Sequence, residues 1–187
     1  TKREGAQNQA VLYWREGLTG QSRVLIDPAA LDASGLTTTE WFSPSPDGRV
    51  MAYGTYRAGD ENTTLHLLDV DTGRKLPLEI PSKTQAPDWM PDASGFVYQN
   101  LKNASDPYSG QVMFHRLGQD VSRDAVLFRQ FSKAENEKLS TTWGPFGSLS
   151  RDGRWLVLGY WVDTKSNDLW IVDFQEYLRT GRIERRP

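Results

Sequence analysis

The sequence predicts an all-β protein, and three observations predict it. Tryptophan, tyrosine and phenylalanine occur seven times each, a load of aromatic side chains that suits pleated, half-buried surfaces. Sixteen glycines and ten prolines are spread along the chain as turn formers. Apolar residues come in short runs, alternating or continuous, and stretches of helical period are nearly absent.

Taken in order, the runs read as strands bounded by turns. Val11, Leu12, Tyr13 and Trp14 make the first, and Arg23, Val24, Leu25 and Ile26 the second. Residues 50–56 and 64–70 follow, with His66 alternating between Leu65 and Leu67. Residues 96–98, 112–117 and 125–128 come next, and residues 155–161 and 168–172 end the series. β-branched and aromatic residues favour the strand reading of each run. Two short helical turns are expected. One is at residues 28–33, where Pro28 suits a first helical position, and the other at residues 174–179, where Gly181 suits a stop.

The strands repeat as a unit. Ser43-Pro44-Ser45-Pro46-Asp47-Gly48-Arg49, Trp89-Met90-Pro91-Asp92-Ala93-Ser94-Gly95 and Leu149-Ser150-Arg151-Asp152-Gly153-Arg154 each lead into an apolar strand. Asp47 and Asp92 lie 45 positions apart and Asp92 and Asp152 lie 60 apart, room for four strands and a variable loop, as in a propeller blade. Asp71-Thr72-Gly73-Arg74 supplies the second turn of the first full unit. Glycine in such turns provides the positive φ that a tight hairpin demands. The expected fold is a partial β-propeller of four-stranded antiparallel blades, about three blades plus the outer strands of a preceding one. Residues 1–187 form a single propeller fragment, with units at 1–40 (the partial blade), 41–86, 87–140 and 141–187.

Composition excludes more than it assigns. With 24 acidic and 22 basic residues the formal net charge is −2, and the densest basic cluster is Arg182, Arg185 and Arg186, so no nucleic-acid partner is expected. No run approaches the length of apolar residues that spans a bilayer, and no secretory signal follows the first residues, so no membrane partner is expected. The reading is of a soluble protein, with cytoplasm and periplasm both open. Cysteine is absent, which removes disulfides, thiolate nucleophiles and cysteine metal sites. His-Glu-x-x-His, Gly-x-Ser-x-Gly and the phosphate-cradling glycine patterns do not occur. No cofactor is expected, and no catalytic, cofactor-binding or metal-ligating residue is assigned.

The remaining chemistry-bearing residues have structural readings. His66 and His115 sit in strands away from any nucleophile elbow and read as surface or inter-blade residues. Asp47, Asp92 and Asp152 read as turn formers. Asn62-Thr63-Thr64 and Asn103-Ala104-Ser105 fit the glycosylation acceptor pattern but read as loop markers. Trp89, Trp143, Trp155, Trp161 and Trp170 read as fillers between neighbouring sheets.

Several segments resemble the early propeller of the prolyl oligopeptidase family, in order and at compatible spacing. They are residues 3–13, residues 23–28, residues 41–54, and Phe114-His115-Arg116-Leu117-Gly118 with Ser122-Arg123-Asp124. The resemblance implies a two-domain serine peptidase, in which an α/β-hydrolase domain carries a Ser, Asp and His triad and a seven-bladed propeller caps it. This chain would supply part of the cap, gating the access of short proline-containing peptides to a catalytic domain elsewhere in the same parent chain. On that reading the chain alone is inactive, and no catalytic residue is carried over. In the family an aromatic residue ahead of the strand containing Trp89 lines the substrate side, whereas here that run is Lys83-Thr84-Gln85. A non-enzymatic propeller that binds a protein partner, and the cap of a related oligopeptidase with different specificity, stay open. Cutting a ring also exposes blade faces, with Trp155, Val157 and Tyr53 or their alternates on them, so the excised chain is expected either to self-associate through its terminal blades or to be ordered only with the remainder of the parent chain present.

Overall fold

A computed structural model describes residues 1–3, 5 and 9–187; residue 4 and residues 6–8, within the first family-like run, lie outside them. β1 (Leu12–Trp14) and β2 (Arg23–Ile26) form an antiparallel ribbon, followed by the short helix α1 (Pro28–Leu31), which Asp27 caps by accepting from Ala29 N. The first full sheet is a meander of β3 (Thr37–Pro44), β4 (Val50–Arg57), β5 (Thr64–Asp69) and β6 (Lys75–Ile80). The second runs β7 (Asp88–Trp89), β8 (Gly95–Leu101), β9 (Gly110–Arg116) and β10 (Ala125–Arg129). The third has β11 (Gly144–Leu149), β12 (Trp155–Trp161) and β13 (Asn167–Asp173). The helix α2 (Phe174–Thr180) follows and ends at Gly181 with φ of 71°. These antiparallel sheets make the chain a partial β-propeller.

The structure adds strands that the apolar runs do not mark. β3 opens on Thr37, Thr38, Thr39 and Glu40, and β6 alternates buried Leu78 and Ile80 with exposed Lys75 and Glu79. Half-polar strands of this kind carry too few apolar residues to stand out from loops. β3 begins ahead of the expected boundary at residue 41, and the fourth position of the last sheet is held by a single bridge between Ile171 and Arg186.

The first and third of the repeated turns match atom by atom. Ser45 Oγ donates to Asp47 Oδ1 at 2.6 Å and accepts from Val50 N at 3.0 Å, and Ser150 Oγ does the same with Asp152 and Trp155 N at 2.6 and 2.8 Å. The serine hydroxyls hold both carboxyls below the usual aspartate range. Gly48 and Gly153 take φ of 72° and 69°, and Ala93 occupies the equivalent place in the second blade at 56°. Gly48→Val and Gly153→Val are expected to cost about 1–3 kcal/mol in urea unfolding. Gly153 lies at the upper end, because a Cβ there falls 2.6 Å from Pro91 Cδ while one at Gly48 meets open space. Ala93→Gly is expected to stabilise by roughly 0.5–1 kcal/mol.

Each sheet buries side chains against its neighbours. Leu12, Leu25 and Ile26 cover Met51, Tyr53 and Leu68. Leu65, Leu67 and Ile80 on the next face meet Phe96, Tyr98 and Met113, and Val97, Val112 and Phe114 meet Leu156, Leu158 and Tyr160. Indole N–H groups stitch the first two blades, Trp41 Nε1 donating to Thr84 O and Trp89 Nε1 to Ser43 O, both at 3.2 Å. The expectation that Tyr53 lies on an exposed end is corrected, since the β1–β2 ribbon buries it. The last sheet does leave Leu169, Ile171 and Trp161 exposed, with Trp155 and Val157 half-buried.

Candidate functional site

Meandering strands alternate in direction, so the connections β4–β5, β6–β7, β8–β9 and β10–β11 all emerge at one end of the blades. Two grooves open there. One, of about 430 Å³, lies between the first and second blades and is lined by Glu40, Trp41, Tyr56, Glu61 and Thr63. Thr63 Oγ1 donates to the Glu40 carboxylate, which ties the β4–β5 connection to β3. The other, of about 180 Å³, lies between the second and third blades, with Gln99, Asn100, Gln111, Trp143 and Pro145 in its walls. It adjoins a hollow of about 210 Å³ between Tyr108, Thr142 and Trp143. Lys83 and Gln85 border both grooves and form the ridge between them.

The β10–β11 linker is held from within. Gln130 is buried, and its Nε2 donates to Ser140 O at 3.2 Å and Thr142 O at 3.1 Å. Tyr160 OH donates to Leu139 O and accepts from Phe131 N, both at 3.0 Å. Gly144 follows with φ of 77°, and a Cβ there would sit 1.7 Å from Gln130 Oε1. This packing projects Trp143 into solvent, 84% exposed. The expectation of an inter-sheet filler is thereby corrected for Trp143, and also for Trp161 at 39% exposure. Trp89, Trp155 and Trp170 are half-buried.

The two histidines lie apart from these grooves. His115 is 1% exposed, and its Nδ1 is 2.8 Å from Asp124 Oδ1. Tyr98 OH donates to Asp124 Oδ2 at 3.0 Å. Burial foremost, and then the Asp124 charge, drives the Tyr98 phenol pKa far up, so it stays a donor. His66 packs on the Tyr53 ring, with Nε2 2.9 Å from Thr55 Oγ1 and Nδ1 3.6 Å from the Glu79 carboxylate. Burial first, then the Lys75 charge, lowers its pKa against the pull of Glu79. Hydroxyl, imidazole and carboxylate thus follow one another, but the second contact is too long for a hydrogen bond.

Asp47, Asp92 and Asp152 all stand in hairpin turns, each bonded to a neighbouring serine hydroxyl. Asn62 and Asn103 are exposed in the β4–β5 and β8–β9 connections. Thr84 is buried and donates to Ile80 O at 2.8 Å, so Lys83-Thr84-Gln85 presents only Lys83 and Gln85 outward. Among the described residues no three His, Cys, Asp or Glu side chains cluster as a metal site would require.

Over residues 1–183 the chain matches the family described as prolyl oligopeptidase, N-terminal beta-propeller domain. The chain belongs to this family. A prolyl oligopeptidase-family relative, the prolyl endopeptidase of Elizabethkingia meningoseptica, is 26% identical over 186 residues, covering 94% of this chain and 25% of the relative. One of two prolyl endopeptidases solved in a study of inter-domain dynamics in catalysis and specificity superposes with a TM-score of 0.81 at 28% identity, covering 97% of this chain and 26% of that one. Prolyl oligopeptidase B of Galerina marginata, bound to a 35mer hydrolysis and macrocyclization substrate, gives 0.79 at 25%, covering 98% and 28%. The chain therefore spans about a quarter of the length of these prolyl oligopeptidase-family relatives.

Proposed function

We propose that this chain is part of the propeller cap of a serine peptidase that cleaves short peptides after proline, and that it gates their access to an α/β-hydrolase domain of the same polypeptide. The family match over residues 1–183 carries this reading. Two relatives named for prolyl cleavage extend well past the region they share with this chain, and the nucleophile elbow absent from this sequence belongs in such a remainder. A ring of packed blades blocks a folded protein while an extended peptide can pass, and a closed site also excludes water.

Hydrolysis by the full-length polypeptide, with the 187-residue chain alone as control, tests the proposal. The full-length protein is expected to release a chromophore placed after proline in a short peptide and to leave the same sequence intact within a folded domain. The chain alone is expected to release none. Release only after basic residues would overturn the proline assignment, and equal cleavage of the folded substrate would overturn gating.

A further inference from the structure

Trp143 stands where neither the propeller core nor a steric barrier requires an aromatic side chain. Single exposed apolar residues are ordinary, but Trp143 and Pro107 together wall two adjoining hollows at the loop end. Tyr108, 47% exposed, closes the smaller groove's neighbour from the far side. The indole is also positioned in advance, because Gln130 and Gly144 fix the linker that carries it.

The rest of the groove is lined by amides. Gln111 Nε2 donates to Asn100 Oδ1 at 3.0 Å, and Gln99 Nε2 donates to Gly147 O at 3.2 Å. These bonds fix both glutamines, and each keeps an Oε1 that accepts from no donor among the described residues and is not sealed from solvent. Among the described residues no carboxylate lines the groove, and the one cation in its walls is the exposed Lys83.

We propose that this groove binds an extended segment of the peptide substrate, with a proline ring against the Trp143 indole and backbone N–H groups donating to Gln99 and Gln111. An extended or polyproline-type chain leaves its own N–H and C=O groups free for side-chain amides. Its pyrrolidine ring presents a flat apolar face to an indole. The inference rests on the reading of this protein as a peptide-handling cap, and it makes Trp143 a specificity-determining residue.

The test is binding of a capped alanine–proline peptide to the full-length polypeptide, followed by calorimetry and tryptophan fluorescence. Trp143→Ala is expected to weaken affinity about tenfold, as truncation of a central aromatic anchor does, and Trp143→Phe to restore most of it. Gln111→Leu is expected to weaken it as well. Trp143 is so exposed that its variants keep the fold, which circular dichroism checks. Unchanged affinity in Trp143→Ala, or no saturable binding by the unmodified protein, overturns the inference. A protein that binds the peptide through Trp143 but does not cleave after proline supports the inference and overturns the proposed activity alone.

Discussion

Asp124→Ala is expected to destabilise the propeller by roughly 3–5 kcal/mol, the cost of removing one partner from a buried polar pair. The Asp124 side chain is 0% exposed and that of His115 1%. Without the carboxylate, His115 Nδ1 and Tyr98 OH both lose their partner in a place water does not reach. The three residues lie on different elements: Tyr98 on β8, His115 on β9, and Asp124 just ahead of β10. Their loss therefore loosens the outer half of the second blade. Asp124→Asn keeps an oxygen and gains a donor, so about half of the stability should return. Urea unfolding followed by tryptophan fluorescence reads both variants. A loss under about 1 kcal/mol for Asp124→Ala would mean that water reaches the network.

Gly159→Ala is expected to cost roughly 2–4 kcal/mol by overpacking. Gly159 pairs across the sheet with Phe146, and a Cβ on it would fall 2.1 Å from Phe146 Cζ. In the first blade Gly54 pairs with Trp41 in the same way, and its Cβ would fall 2.3 Å from Trp41 Cε2. In both blades the aromatic ring of the inner strand lies flat over a glycine of the next, so the two substitutions should behave alike. Phe146→Leu in the Gly159→Ala background should recover part of the loss, because the smaller side chain can turn away. Additive losses in the double variant, measured by the same unfolding, would show that the clash is relieved elsewhere.

The glycine pairs show where the repeat was legible. Relative to Asp47 and Asp152, Trp41 and Phe146 hold one position and Gly54 and Gly159 another, so the repeat extends well past the turns that reveal it. Ala86 and Gln99 hold those positions in the second blade, and there Gln99 reaches across to Gly147 instead. A single sequence shows that substitution only as a break in the pattern. Trp143 escaped for a related reason. Five tryptophans, Trp143 among them, read as inter-sheet filling in a β protein, and only the polar run Ser140-Thr141-Thr142 before it and Gly144-Pro145 after it mark Trp143 as part of a connection.

The sequence by itself determined the strands that carry a clear apolar run, the positions of the hairpin turns and the blade repeat. These depend on interactions within a few residues: alternation toward a core, a serine and an aspartate closing a turn, a glycine at positive φ. Tertiary structure alone decided which end of the blades gathers the loops, that Lys83 and Gln85 divide two grooves, and that His115, Asp124 and Tyr98 share one buried network. It also decided that Trp143 faces water while Tyr53 does not. Those outcomes depend on how one sheet stacks on the next. The exposure of a side chain there is set by residues far away in sequence, which no local pattern encodes.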